Sequence, residues 1–533
     1  MFSRVTRPAR GLPRVLLGLG LGLAVAAAQV AEGPVEEDGK KNRKVREAYS
    51  AAIVRSRELL CRVKDEVGSP GIVVGVSVDG QTVWTEGLGF ADVENRIPCS
   101  PESVMRVASI SKSFTMAALA KLWQEGRLDL DAPVQKYVPE FPEKEFEGEK
   151  VTITTRLLVS HISGIRHYEK DIQKIRKKTG NKSSEMPLDD TESMRIVEQR
   201  KSKPDTAKTQ KNSSLEPEEF YIKDKFNSVI EALELFKNDP LVFKPGSQFL
   251  YSTHAWTLLS AVVERASGRK FLDYMQQMFR DLAMVNTLPE EHEPIIYNRA
   301  RSMSWALPCT DDYNVLGTGT TVCNFNAETS NAACFWKTPM ESKSSLHLYI
   351  NSQRGVISKM GSLDGFYSFS DKKRLINCPY VDNSCKWAGG GFLSTVSDLL
   401  RFGNVLLYSY QAKETATMLP GYLKADTVSK MWKQVPNTEM SWDRDGKYAM
   451  GWGTVERKQD FGQCKCQKHY VSHTGGAVGA SSVLLILPGE NNQMMIPPSG
   501  VVVTIIANMQ GTGLNTTALK IALEFEKIKS AQS

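Results

Sequence analysis

The chain has 533 residues, 41% of them hydrophobic and 24% charged, which is an ordinary composition for a globular protein with a large core. The formal net charge of +7 is modest, and the basic residues are concentrated in tails and a linker rather than interleaved with aromatic residues, which argues against a nucleic-acid partner. The nine cysteines and seven histidines form no Cys-x-x-Cys pair and no His-Glu-x-x-His motif, so we expect no disulfide framework, metal site or cofactor.

Residues 1–31 are first basic and then apolar. Several spaced arginines precede the first acidic residue, Glu32, and an apolar run covers 15–31. A secretory signal, a mitochondrial import sequence and a single membrane anchor are the alternatives. Arginines without acidic residues favour mitochondrial import, with the apolar run as a sorting segment toward the intermembrane space or inner membrane. The polar residues 32–44 predict a tether.

The next segments show clear periodicity. Apolar residues at helical spacing predict an amphipathic helix over 45–67. Alternating segments at 72–78 and 82–88, separated by Asp79-Gly80, predict a β-hairpin. A helix-forming run follows at 113–124, just after Ser109.

Two stretches have the character of insertions. Residues from about 169 to 225 are dense in Lys, Glu, Asp, Ser and Thr, which is typical of a solvated or disordered insertion. The apolar run 226–241 then predicts a helix. Residues from about 302 to 365 lack periodicity and predict a second, atypical insertion.

The last third returns to regular patterns. A glycine run at 389–391 precedes a predicted helix at 396–407, and 517–527 predicts a closing helix. Apolar segments at 472–487 and 501–508 predict adjacent buried strands. Strand pairs near both ends, with helices between them, predict one α+β domain over 45–533 whose termini meet in one sheet.

A serine and a lysine three residues apart, Ser109 and Lys112, lie where the predicted helix begins. At that spacing the two side chains share one helical face, with their β-carbons about 5–6 Å apart. A desolvated lysine can accept the serine proton, and an N–H group at a helix N-terminus can stabilise an oxyanion. Alone, the pair is weak evidence, because serines and lysines are common and an exposed helix start is the more frequent explanation.

Two further motifs follow in order: Tyr251-Ser252-Thr253, and then His473-Thr474-Gly475-Gly476 at the start of an apolar strand. Taken singly, a packed tyrosine and a tight turn explain them. The ordered series S-x-x-K, Y-x-[S, T or N], [K or H]-T-G resembles the serine β-lactamase and penicillin-binding protein superfamily, and points to its class C lactamase and esterase branch (peptidase S12). The resemblance implies an α+β, β-lactamase/transpeptidase-like fold, with an antiparallel sheet flanked by helices and a mostly helical subdomain.

The resemblance also implies catalytic roles. Ser109 would form an acyl-enzyme, with Lys112 or the Lys112–Tyr251 pair accepting its proton, because a phenol with a pKa near 10 needs a neighbouring cation to act as a base. The backbone N–H groups of Ser109 and Gly476 would form the oxyanion hole.

The third motif would line the substrate cleft with His473, Thr474 and Gly475. A histidine in place of lysine makes the charge at this point pH-dependent, which argues against selectivity for anionic β-lactams.

Within the superfamily, the chain is similar to mitochondrial members found in animals. That similarity implies a serine protease or peptidase of the intermembrane space that acts on a peptide or protein, associates with the inner membrane and is linked to mitochondrial lipid metabolism. A filament-forming homo-oligomeric scaffold is the alternative, and an esterase or β-lactamase a second one. The intact motif set favours catalysis, because a scaffold does not require Lys112 and Tyr251.

Overall fold

The computed structural model of the chain describes residues 46–168, 218–301, 303–305, 375–378, 380–412, 419–459, 466–489 and 496–532. The predicted import segment, the predicted tether and most of both predicted insertions lie outside these ranges. Within them, no helix is both long and apolar enough to cross a membrane.

Four helices overlap the runs in which the sequence predicts a helix: α1 (Ser50–Val67), α2 (Ile110–Gln124), α7 (Val396–Gln411) and α9 (Asn515–Gln532). The sequence analysis does not predict the others, which are α3 (Thr155–Val159), α4 (Thr253–Ser267), α5 (Phe271–Asp281), α6 (Trp387–Gly390) and α8 (Ala425–Met431). Short 3₁₀ helices cover Val134–Lys136, Glu218–Tyr221 and Glu231–Leu235.

The predicted helix over 226–241 is wrong, because only the 3₁₀ turn Glu231–Leu235 forms there. Local side-chain hydrogen bonds fix where the turn starts, and Pro240, which has no N–H group, prevents a helix from continuing to residue 241. Ser228 Oγ accepts the N–H of Glu231 at 3.0 Å, and the Glu231 carboxylate accepts the N–H of Asn227 at 2.6 Å.

The strands form one large antiparallel sheet and several small ones. The large sheet has the order β11 (Lys447–Tyr448), β12 (Gly453–Val455), β15 (Tyr470–Ala477), β16 (Ala480–Pro488), β17 (Gly500–Ala507), β1 (Gly71–Val78), β2 (Gln81–Asp92) and β3 (Ile97–Pro98). A smaller sheet has the order β4 (Met105–Arg106), β10 (Phe392–Ser394) and β7 (Leu288–Pro289). Two-stranded pairs are β5 (Lys144–Phe146) with β6 (Glu149–Val151), β8 (Met303–Trp305) with β9 (Leu375–Asn377), and β13 (Lys458–Gln459) with β14 (Cys466–Gln467).

The two ends of the domain meet in the large sheet, as predicted. Strand β1 pairs with β17, with Ile72 opposite Ala507. The predicted hairpin forms between β1 and β2, and both of its turn residues, Asp79 and Gly80, adopt the positive φ angles that a tight two-residue hairpin needs. The segment 472–487, expected as one strand, is instead the hairpin β15–β16, which turns at Gly479 with φ +72°.

Both faces of the large sheet are buried, and this places the helices in two layers. In β17, Val503 and Ile505 pack in the core that includes α1 and α9, whereas Val502 and Ile506 pack in the core that includes α2, α4 and α7. Helix α2 is buried on almost all sides, as expected for a helix that is apolar all round. The fold class is therefore confirmed, with the Ser109 helix inside the helical layer.

The closing helix α9 generates a stability prediction. Phe525 is fully buried and stacks on Tyr49 and Trp84, with ring centroids 5.7 and 6.3 Å away. We expect Phe525→Ala to lower the free energy of unfolding by about 3–5 kcal/mol in urea titrations, because it leaves a large cavity. The exposed neighbour change Lys527→Ala should stay within about 0.5 kcal/mol of wild type. A loss below about 1 kcal/mol for Phe525→Ala would contradict this packing.

Candidate active site

Ser109 lies at the N-terminal end of α2 and lines a cleft. The residue before it, Ala108, adopts a φ of +48°, a conformation that costs a non-glycine residue roughly 1–3 kcal/mol. Strand β4 enters this turn and is held by pairing with β10. The strained turn between strand and helix therefore presents the serine to the cleft.

Lys112 is fully buried directly behind Ser109. Its Nζ lies 3.2 Å from Ser109 Oγ and donates a hydrogen bond to the carbonyl oxygen of Gly389 at 2.6 Å. Burial and, as a smaller contribution, the nearby positive charge of Lys386 together lower the pKa of Lys112 to about 7. Near neutral pH a large fraction of Lys112 is therefore an uncharged amine that can accept the serine proton.

Tyr251 is the third member of this group. Its ring centroid lies 4.8 Å from Lys112 Nζ, and the ring stacks on His161 at 4.2 Å. Burial raises the pKa of Tyr251, and a hydrogen bond with Ser109 opposes that rise only in part. Tyr251 is therefore a neutral phenol near pH 7, and Lys112 is the better proton acceptor of the two.

His161 supports the tyrosine motif from behind. It is almost fully buried, its Nδ1 lies 3.0 Å from the N–H nitrogen of Ser252, and its Nε2 lies 3.2 Å from Trp256 Nε1. Burial and the charge of Lys112 hold its pKa well below the usual value. His161 is therefore an uncharged packing partner that fixes Tyr251 in place.

The third motif divides between two sides of strand β15. Thr474 and Gly476 line the cleft, whereas His473 and Gly475 are buried and lie outside its lining. The prediction that His473 and Gly475 line the cleft is therefore wrong, because successive residues of a strand face opposite ways. A β-carbon at Gly475 would collide with Val107 O and Ser482 Oγ, so the glycine lets β15 approach the segment before Ser109 closely.

His473 is held in one uncharged form. Its Nδ1–H donates to the carbonyl oxygen of Thr474 at 2.7 Å, so its Nε2 accepts the hydroxyl hydrogen of Tyr448 at 2.8 Å. Burial and the charge of Lys112 lower the pKa of His473 to about 3. The expected pH-dependent charge is therefore absent at this position near neutral pH.

The cleft has a volume of about 460 Å³ and includes residues that no sequence motif indicates. Glu290 binds Arg106 at 2.7 Å, and the Arg106 guanidinium also donates to the carbonyl oxygen of Val478 at the end of β15. Lys386 adds a half-buried positive charge to the wall. Of Arg106, Glu290 and Lys386, only Arg106 lies close enough to one of the three catalytic motifs to be found from the sequence, because it is three residues before Ser109.

Aromatic side chains form much of the remaining wall. Tyr168, Phe220 and Trp442 line the cleft, and none of them belongs to a motif. In the described ranges, no three His, Cys, Asp or Glu side chains come together to hold a metal ion.

Comparisons with known proteins identify the family and the fold. A family model described as Beta-lactamase matches residues 57–524. The chain is 53% identical to the serine beta-lactamase-like protein LACTB, mitochondrial, of Homo sapiens over 513 residues and of Mus musculus over 512 residues, which is 90% of this chain and 81% of each relative.

Two solved structures share the fold. EstCE1, a hydrolase with promiscuous acyltransferase activity, is 16% identical over 90% of this chain and 99% of its own, with a TM-score of 0.56. A class C beta-lactamase mutant is 14% identical over 89% and 97%, with a TM-score of 0.52.

The environment of Lys112 predicts the pH dependence of Ser109 reactivity. The second-order rate constant for modification of Ser109 by an acylating probe should rise with pH through about 7, as Lys112 loses its proton, and then level off. Lys386→Met removes a like charge, so the pKa of Lys112 should rise. The rising part of the pH profile, the acid limb, should then move to higher pH. Each unit of that movement lowers the rate about tenfold on the acid side.

Lys386→Arg is the matched control, because it keeps the positive charge and should leave the limb where it is. A limb that stays in place in Lys386→Met, measured over pH 5 to 9, would contradict the electrostatic link between the two lysines.

Proposed function

Because the chain belongs to the beta-lactamase family, we propose that it is a serine hydrolase that works through an acyl-enzyme on Ser109, with Lys112 as the base. One observation carries the proposal: a fully buried lysine, with its pKa lowered to about 7, lies 3.2 Å from the hydroxyl of a serine at the cleft.

The first step is acylation. The uncharged Lys112 amine has one lone pair, and its N–H group is already directed to the Gly389 carbonyl oxygen at 2.6 Å. The lone pair is then available to the Ser109 hydroxyl. As Ser109 Oγ attacks an acyl carbonyl carbon, its proton passes to Lys112, which becomes an ammonium group.

The negative charge that develops on the carbonyl oxygen needs N–H donors in the cleft. Ser109 contributes its N–H at the start of α2, and Gly476 contributes another from the cleft side of β15. The absence of a side chain at Gly475 brings β15 against the Ser109 segment, which supports this pairing of donors. Loss of one such donor typically costs about 3–4 kcal/mol of transition-state stabilisation.

The second half of the reaction releases the leaving group and then the acyl group. An amine leaving group must be protonated as the C–N bond breaks, and the Lys112 ammonium can supply that proton through the Tyr251 phenol, which is hydrogen-bonded to Ser109. Water then attacks the ester carbonyl carbon, and Lys112 takes a proton from that water. As the bond between the acyl carbon and Ser109 Oγ breaks, Lys112 passes this proton to Oγ and the serine hydroxyl is restored. This capacity to protonate an amine supports a protease or peptidase over an enzyme restricted to esters.

A peptide or protein is the proposed substrate class. The cleft volume of about 460 Å³ suits a few residues of an extended chain. His473 supplies no positive charge to the third motif near neutral pH, which does not favour selectivity for an anionic β-lactam.

The proposed location is the mitochondrion, on the intermembrane-space side of the inner membrane. The arginine-rich start and the apolar run at 15–31 support it, as does the word mitochondrial in the names of the relatives that are 53% identical. A role in regulating mitochondrial lipid metabolism completes the proposal and rests on the family resemblance.

A serine-directed acylating probe tests the mechanism. Intact-protein mass spectrometry should show one adduct on the wild type and none on Ser109→Ala. Ser441→Ala is the matched control, because Ser441 is an exposed serine in the same cleft, and it should react like the wild type.

An equal adduct on Ser109→Ala, or no adduct on the wild type between pH 7 and 9, would contradict the hydrolase proposal. Light scattering on the same samples should show no change of particle size with Ser109→Ala, since the substitution removes only one hydroxyl group from the cleft.

A further inference from the structure

The segment 219–226, called the strap below, forms one wall of the cleft. Phe220 of the strap lines the cavity, and its ring meets the Tyr168 ring edge to face at a centroid distance of 5.8 Å. None of the three catalytic motifs lies in the strap. It approaches the site only through tertiary contacts.

One end of the strap is fixed by an ion pair outside the cleft. The Glu219 carboxylate accepts two hydrogen bonds from the Arg166 guanidinium, both at 2.7 Å. Arg166 also pairs with Asp239 and donates to the carbonyl oxygen of Leu235, so it is anchored to the body of the domain. Its side chain is only 14% exposed, which makes this two-point pair stronger than a surface salt bridge.

The other side of the strap is fixed to the segment before α6. The N–H of Asp382 donates to the carbonyl oxygen of Ile222 at 2.8 Å, and the N–H of Phe226 donates to Ser384 Oγ at 2.7 Å. Lys386 Nζ lies 3.5 Å from the carbonyl oxygen of Phe220. The strap is thus held from both sides, with the Phe220 ring toward the cavity.

The wall that Phe220 joins is apolar. Leu250 and Val381 line the same cavity, as does Tyr168, whose hydroxyl is engaged by a hydrogen bond with Thr253. An apolar surface of this kind excludes water and stabilises a bound apolar group in proportion to the area buried.

We propose that Phe220 is a specificity-determining residue which, with Tyr168, Leu250 and Val381, forms a subsite for an aromatic or branched aliphatic group of the substrate. Glu219 is the positioning residue that holds Phe220 there through Arg166. This inference rests on the proposed acyl-enzyme function, because the subsite selects among acyl donors of Ser109.

The test compares two series of esters of increasing apolar bulk, and differences in intrinsic ester reactivity cancel when the same ratio is compared between variants. One series keeps p-nitrophenol as leaving group and changes the acyl group from acetyl to butyryl to phenylacetyl. The other keeps the acetyl group and enlarges the leaving group from p-nitrophenyl to 4-methylumbelliferyl. In one of the two series the wild-type protein should prefer the bulkier ester, as measured by the ratio of the kcat/KM values. The series that shows this preference identifies which half of the substrate, acyl group or leaving group, binds the subsite.

Phe220→Ala should reduce that preference by about tenfold to a hundredfold, as expected for the loss of one aromatic contact surface. Phe220→Tyr keeps the ring and should retain the preference. Glu219→Gln should reduce the preference in the same direction, but by less than Phe220→Ala, because the Phe220 ring remains and only its anchor is weakened. Glu234→Gln, an exposed carboxylate paired with Lys237, is the matched control and should behave as wild type.

Failure of this inference differs from failure of the proposed function. No Ser109 adduct on the wild type overturns the proposed function itself. Adduct formation in every variant, with an unchanged kcat/KM ratio in Phe220→Ala for both series, overturns the subsite. The melting temperature of each variant shows whether it folds. If Phe220→Ala does not fold, Phe220→Leu replaces it, since leucine keeps apolar bulk but loses the ring, and the preference for the bulkier ester should again fall.

Discussion

The burial of Lys112 is the constraint on which the rest of the site depends. A lysine amine removed from water without a paired carboxylate loses its preference for the charged form, so its pKa falls to about 7. Tyr251, His161 and His473 are themselves buried, which keeps the Tyr251 phenol protonated and leaves both imidazoles uncharged. The Lys112 amine is therefore the group that accepts the Ser109 proton, while its neighbours act as packing and hydrogen-bonding partners.

The fold supplies this burial through the position of α2. The helix is apolar around its whole circumference and lies inside the helical layer, so Lys112 at its first turn is enclosed by elements from across the chain. The short helix α6 brings the Gly389 carbonyl to the amine, the start of α4 brings Tyr251, and β15 brings Gly476 to the cleft. A change in the packing of these elements would alter the hydration of Lys112 and hence its basicity.

The sequence predicts local features well and tertiary neighbours poorly. The i, i+3 spacing of Ser109 and Lys112 places them on one helical face, and the structure brings them within 3.2 Å. The third motif shows a limit. Successive residues of a strand face opposite sides, but the sequence does not say which side meets the cleft, and His473 lies on the side away from it. Phe220 and Lys386 reach the cleft from segments with no motif, through contacts that only the folded chain makes. The apolar run 226–241 predicts a longer helix than the 3₁₀ turn that forms there, because apolar content alone does not determine where a helix starts or ends.

The most direct test of the account changes only the basicity of the amine at position 112. γ-Thialysine has almost the shape of lysine and a lower intrinsic pKa, so its incorporation in place of Lys112 preserves the packing and alters the base. The acid limb of the acylation rate, measured with the same probe on both proteins, should move to lower pH by the difference between the intrinsic pKa values of the two amines. A limb that stays at the wild-type pH would show that a group other than Lys112 accepts the Ser109 proton.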